Sequence, residues 1–275
     1  MVTTAEKRAR FRALHQKGCF VLPNPWDAGS ARLLQHLGFE ALASTSAGHA
    51  WSIGKPDYAT SRDEVLAHLT QLCASTDLPV NADFASGFAD DPEEMAANIS
   101  RAIATGIAGL SIEDTKISGP GLHDKASAVS RIKAARGAID ASGEDVLLVG
   151  RAEILLHDRA RVSEAIDKLV AFADAGADCL YAPGLNKRDD IRALVNAVSP
   201  KPVNILMWGP GLTVAELADL GVRRISIGGS LASIGWGAVM RAAEEIRAGR
   251  FDALAVGGPS QSLNDIFSGY SRPSA

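Results

Sequence analysis

The feature that most constrains this chain is a junction that recurs four times: a helix-like segment, one glycine, then a short apolar run. It occurs as LGFEALAS at Gly38, TGIAGLSIE at Gly106, AGADCLYAP at Gly176 and LGVRRISIG at Gly221. Glycine suits that point because a helix often ends in a left-handed residue, a conformation that a Cβ disfavours. Four more apolar runs follow other breaks: CFVL after Gly18, LPVNAD after Asp77, DVLLVG after Gly143 and KPVNIL after Pro200. They are apolar on both faces more than they alternate, as buried parallel strands are. The segments between them keep one apolar face at helical spacing, for example Val65, Leu66, Leu69, Leu72 and Cys73, or Val162, Ala165, Ile166, Leu169, Val170 and Ala173. Eight β/α units in 275 residues predict an α/β fold, a (β/α)8 TIM barrel over about residues 18–250 in a single domain. A doubly wound open sheet is the structural alternative. Residues Thr3 to Lys17 predict an N-terminal helix. Residues 251–275 predict a C-terminal helical extension, with Leu263, Ile266 and Phe267 at helical spacing.

Composition narrows the function. Hydrophobic residues at 47% and charged residues at 22% describe an ordinary globular enzyme and exclude a disordered chain. The net charge of −4, with no run of five like charges, argues against a nucleic-acid partner. Cys19, Cys73 and Cys179 are odd in number and form no CxxC, so neither a disulfide framework nor a zinc knuckle is expected. The N-terminus MVTTAEKRARFR is charged where a signal peptide needs an apolar stretch. The uncharged run from Ile225 to Met240 is too short to cross a bilayer. A soluble, cytoplasmic protein with no membrane partner is expected.

In such barrels the chemistry gathers at the C-terminal ends of the strands. Asp83 ends strand 3 and Glu113 ends strand 4. Two carboxylates on adjacent buried strands repel unless a proton or cation lies between them. Hard oxygen ligands without clustered His or Cys favour Mg²⁺, with Mn²⁺ as the substitute. The competing reading of these residues is a buried carboxylate–Arg151 ion pair closing the barrel mouth. Arg151, at the end of strand 5, offers a fork suited to a carboxylate or phosphonate. Ser44, Thr45 and Ser46 end strand 2 and could cradle an anion or simply build a turn. Asn204 lies on strand 7, and Gly228-Gly229-Ser230 opens the last helix as a phosphate cup or a tight turn. Among the histidines, His15, His36, His68 and His157 are expected on helix surfaces. His49 and His123 fall on loops of the active face, and His123 sits in KISGPGLHDK, whose glycines and proline suit a lid. No lysine ends a strand, which argues against a Schiff-base aldolase.

The residues also resemble a known group. NPWDAGSARLL (24–34), LASTSAGHAWSIGKPD (42–57), LPVNADFASGF (78–88), AGLSIED (108–114) and GRAE (150–153) stand in the order of the isocitrate lyase/phosphoenolpyruvate mutase superfamily. The similarity is to its shorter, phosphonomutase-like branch and runs from about Phe11 to Arg250. The resemblance implies that Asp83 and Glu113 belong to an Mg²⁺ shell and that Ser44, Thr45 and Ser46 bind a small 2-oxo acid. It further implies that Asp57 lies near the reacting group and that Arg151 grips the substrate. The implied chemistry is cleavage or formation of a C–C or P–C bond beside the oxo acid, through a pyruvate enolate. A homodimer or homotetramer whose subunits exchange the eighth helix is implied too. Two departures stand out: Ala85 occupies a position that is usually acidic, and the loop after Glu113 lacks the Lys-Lys-Cys-Gly-His signature of the isocitrate lyases. Two other functions remain open at this level: a sugar-phosphate isomerase using Gly228-Gly229-Ser230, and an inert oxo-acid binder.

Overall fold

In the computed structural model, which describes residues 2–258 and 260–269, eight parallel strands form one sheet. They are β1 (Phe20–Leu22), β2 (Leu42–Ala43), β3 (Val80–Asp83), β4 (Gly109–Glu113), β5 (Leu147–Arg151), β6 (Cys179–Tyr181), β7 (Val203–Leu206) and β8 (Arg224–Ser226). The order β1-β8-β7-β6-β5-β4-β3-β2 brings the first strand beside the last. Ala43 N–H donating to Pro23 O at 3.0 Å then links the ends of β1 and β2. This is the (β/α)8 TIM barrel, and the open-sheet alternative falls away because an open sheet leaves its first and last strands apart.

The helices alternate with the strands: α1 (Thr4–Leu14), α2 (Ala28–His36), α3 (Ser46–Ser52), α4 (Arg62–Ser75), α5 (Pro92–Ala104) and α6 (Lys125–Ser142). There follow α7 (Ile154–His157), α8 (Val162–Asp174), α9 (Arg188–Val198), α10 (Val214–Asp219), α11 (Ser230–Arg247) and α12 (Ser260–Ser268). Their starts are written locally. Thr3, Ser61 and Thr213 each form a reciprocal box with the glutamate three residues on, satisfying orphan N–H groups at the first turn. The four junction glycines adopt φ of +85° at Gly38, +91° at Gly106, +105° at Gly176 and +89° at Gly221, the left-handed region that ends a helix.

The helix α1 closes the N-terminal end of the barrel. Its Phe11 is fully buried and meets Phe20 edge-on, while Lys7 and Arg8 are buried and donate to the carbonyls of Cys73, Thr76, Ile103 and Ile107. His15 caps this helix inside the same cluster and is buried, which corrects the expectation of a surface histidine. His68 on α4 is buried as well, for a different reason: its ring stacks on His49 at 3.8 Å between centroids. His36 and His157 are exposed, as expected.

At the other end of the chain α11 is anomalous. Of its 18 residues only Ala232 is buried, and Ile234, Trp236, Val239 and Met240 stand exposed. The helix α12 carries the expected 263–267 spacing, and Ile266 and Phe267 are half-buried where it packs against α2. The rest of the extension, 270–275, lies outside the described residues. No described helix is long and apolar enough to cross a membrane.

Candidate active site

The strand ends surround a cavity of about 610 Å³ at the C-terminal face of the barrel. Strand alternation sets what enters it: Asn81 and Asp83 on β3, Tyr181 on β6, and Arg224 and Ser226 on β8 all line it. Ser44, Thr45, Ser46, Asp57 and Arg151 line it too, with Gly228, Gly229 and Ser230 at the start of α11.

Arg151 is the hub. Its Nη1 lies 3.2 Å from Asp83 Oδ1 and 3.2 Å from Glu113 Oε2, and its Nε lies 2.5 Å from Glu153 Oε1. Glu113 pairs directly with Arg151 in the β4–β5 register, so adjacent strands deliver the two side chains to one level. The tyrosine ring of Tyr181, Arg151's partner across β6, lies 5.3 Å from the guanidinium carbon. Burial pushes the Glu113 carboxyl up to about 7, partly offset by Arg151, with Glu153 and Asp83 adding to the rise. Glu153 is raised for the same first reason. Three carboxylates around one guanidinium leave the mouth short of positive charge.

The loop after β2 is spent on orienting Asp83. Ser46 N–H donates to Asp83 Oδ2 at 3.0 Å, and Asp83 N–H donates to Ser44 Oγ at 2.8 Å. Thr45 caps α3, its hydroxyl accepting from Gly48 N–H. Asp57 is held above the usual carboxylate range by burial, with Asp83 as a further cause, while the Ser46 hydroxyl works the other way.

The donor set fits a water-rich Mg²⁺ site. Oxygens of Asp83 and Glu113 both lie 3.2 Å from Arg151 Nη1, the ion pair that was the competing reading, so the two carboxylates converge on one cationic group, although Glu113 itself does not line the cavity. Among the described residues no group of three or more His, Cys, Asp or Glu could hold a metal ion by protein ligands alone. Mg²⁺ commonly takes one or two carboxylates and keeps several waters, which two acids on adjacent strands satisfy.

Comparison with known proteins identifies the lineage. The family model described as phosphoenolpyruvate phosphomutase matches residues 11–247. The chain belongs to that family. A crystal structure of a protein assigned as a lyase/mutase, from Burkholderia cenocepacia J2315, is 45% identical at a TM-score of 0.92, covering 96% of this chain and 97% of that one. An oxaloacetate decarboxylase of Paraburkholderia xenovorans is 30% identical over 81% of this chain and 75% of its own length. The chloroplastic carboxyvinyl-carboxyphosphonate phosphorylmutase of Arabidopsis thaliana is 30% identical over 81% of this chain and 69% of its own. The expected place in the isocitrate lyase/phosphoenolpyruvate mutase superfamily therefore holds, and the chain is an enzyme of the lyase or phosphonomutase kind.

His123, Asn204 and His49, expected at the active face from the sequence, do not line the cavity. His123 lies outside the cavity lining; its Nε2 is 3.1 Å from Asp90 Oδ1. That same carboxylate accepts Ile117 N–H at 2.9 Å and Ser118 N–H at 2.8 Å, so the 116–125 loop is tied to the loop after β3. Asn204 is fully buried and hydrogen-bonds Ser226 and Arg224 instead of facing the cavity. His49 is on α3, not on a loop, and is buried against His68.

The structure also adds residues. Asn24 ties Ile227 N–H to Ser44 O across the barrel closure. Asp114 accepts from buried Lys168 at 2.5 Å and from Glu153 N–H at 2.8 Å, fixing the strand-4 end. Arg224 lines the floor. A charged residue inside the apolar run RRISIG was the available signal for it.

Proposed function

We infer that this enzyme uses Mg²⁺ to cleave or form a C–C or P–C bond beside a small 2-oxo acid, oxaloacetate-like or phosphonopyruvate-like. The observation carrying this is the convergence of Asp83 and Glu113 on one cation position beside Ser44–Ser46, in a chain of this family. Asp83 and Glu113 are the residues that would hold the metal. When bound, the metal supplies the positive charge that stabilises negative charge developing on the 2-oxo oxygen.

The chain's own residues divide the remaining work. Ser46 N–H holds the Asp83 carboxylate and Ser44 Oγ accepts the Asp83 backbone N–H, so this anchor is oriented in advance. Arg151 balances Glu113 and Glu153, and with a cation on the acids its Nη1 would be free to face the substrate. Asp57, raised toward neutrality by burial, stands at the cavity edge as a proton carrier near the reacting group. Trp51 and Trp208 flank the cavity and limit water.

A panel of 2-oxo acids assayed for pyruvate release, with Mg²⁺ and then with chelator, tests the reading. Metal-dependent release that disappears in Asp83→Ala is expected. No release from any member, together with no Mg²⁺ binding by calorimetry under saturating oxalate, would overturn it.

A further inference from the structure

Lys168 stands on the buried face of α8 and does not line the barrel cavity. Its ammonium donates to Asp114 Oδ2 at 2.5 Å and to the His123 carbonyl at 2.9 Å. It therefore joins the end of β4 to the far end of the loop that follows that strand. A buried ion pair by itself is a weak reason for a lysine, because well-packed apolar residues of similar volume often hold a fold as well. An apolar pair would leave the His123 carbonyl without this donor. That second acceptor is what the lysine adds.

The loop is a short antiparallel hairpin. Thr115 bridges Leu122, Lys116 N–H donates to Gly121 O at 3.1 Å, and His123 N–H donates to Asp114 O at 2.8 Å. Asp90, with a side chain 27% exposed, ties the outgoing arm through Ile117 and Ser118 N–H. Lys168, with a side chain 7% exposed, ties the returning arm. Water competes for the first tie and barely reaches the second, so the returning arm is the fixed end. The base of the hairpin meets the chemistry at one point. Thr115 Oγ1 donates to Glu113 Oε1 at 2.6 Å, while Arg151 Nη1 lies against Oε2 of the same carboxylate. Farther out, Ile117, Pro120 and Gly121 wall a side chamber of about 460 Å³ that Ser46, Tyr58 and Asp83 also line.

We propose that Lys168 is a positioning residue for the reaction. From outside the barrel it pins the returning arm of the 115–123 hairpin to the end of β4. That keeps the Thr115 hydroxyl on Glu113 and the hairpin beside the cavity mouth. Only the effect on ligand binding rests on the 2-oxo-acid reading above; the pinning itself does not.

Hydrogen exchange read by mass spectrometry on the full chain compares the peptide covering 115–123 with those covering β6 and β7. In Lys168→Met the loop peptide should exchange at least about tenfold faster than in wild type, the loss of one charge-assisted hydrogen bond, with β6 and β7 changed less. Lys168→Arg keeps donors for both oxygens and should hold the loop within about threefold of wild type. Should Lys168→Met not fold, Lys168→Met/Asp114→Asn removes both charges together, and the asparagine oxygen still accepts Glu153 N–H. The same loop-specific increase is expected there. Oxalate affinity by calorimetry, with Mg²⁺ present, should fall at least about threefold wherever the loop exchanges faster. Wild-type exchange of 115–123 in the folded variant would overturn the proposal. So would faster exchange spread evenly over loop and strands, or a loosened loop with wild-type oxalate affinity, since each leaves Lys168 a structural residue only. Oxalate failing to bind the wild type would defeat the 2-oxo-acid reading instead, and the exchange comparison would still decide whether Lys168 pins the loop.

Discussion

Replacing Arg151 by methionine keeps much of the stem and removes the charge that three acids share. Glu113 and Glu153 are each 2% exposed, so neither can turn to solvent once the guanidinium has gone. Breaking a buried ion pair by deleting one partner costs about 3–5 kcal/mol, most of it the penalty on the charges left behind. Protonation offers an escape, and its sign can be worked out. Burial already lifts Glu113 from the usual carboxylate range to about 7, so the folded state favours the protonated acid. The stability this contributes is complete below the unfolded value and is lost as pH rises through the folded one. Without Arg151 the folded value climbs further. The deficit of Arg151→Met relative to wild type therefore widens from pH 6 to pH 8, by up to about 1.4 kcal/mol per pH unit for each acid involved. Urea unfolding followed by circular dichroism at both pH values should give a small deficit at pH 6 and at least about 3 kcal/mol at pH 8. Added Mg²⁺ should restore more stability to the variant than to the wild type, because the vacated position suits a cation and binding to the folded state alone is stabilising. A deficit below about 1 kcal/mol at pH 8, or one that narrows as pH rises, would refute the picture of three acids sharing one charge. Equal effects of Mg²⁺ on both proteins would remove Asp83 and Glu113 as metal anchors.

Burial holds His68 down at about 3, so its unfolded form gains protons first as pH falls below about 6.5. His68→Phe keeps a ring against His49 and should gain about 2 kcal/mol relative to wild type between pH 8 and pH 5; a pH-independent difference by urea unfolding would mean that the pair is solvated. Because His123 faces Asp90, His123→Ala and Asp90→Asn should each lower turnover and oxalate affinity together by loosening the 116–125 loop. Loss of turnover alone in His123→Ala would return the proton-transfer role expected from the sequence. The bare face of α11 should be covered by another copy of the chain, so light scattering at micromolar concentration should give a homodimer or homotetramer, and Trp236→Glu should shift it toward monomer. A monomeric wild type would contradict this.

The barrel was legible because its signals are local. A glycine that ends a helix, a box such as Ser61 with Glu64, and an apolar run two to five residues long depend only on near neighbours, and repetition eight times leaves few architectures. The same logic placed Asp83, Glu113 and Arg151 at the C-terminal ends of their strands. What those residues do to one another was not local. That Arg151 is shared among three acids follows from the β4–β5 register and the inward turn of Glu153. His15 and His68 read as surface residues because a helix face shows polarity but not what packs on it; α1 sealing the barrel base and His49 stacking from α3 buried them. His123 looked like a lid residue from its glycine-rich loop, yet its direction was decided by Asp90, 33 positions away in the chain. Arg224 was visible as a charge inside an apolar strand, but its pairing with Asn204 and Asn81 depends on the strands around it. Chain order determined which residues reach the mouth of the barrel, because strand direction and alternation are properties of neighbours in sequence. Only the closed barrel decided which charges are matched, because electrostatic pairing acts across strands that the sequence keeps far apart.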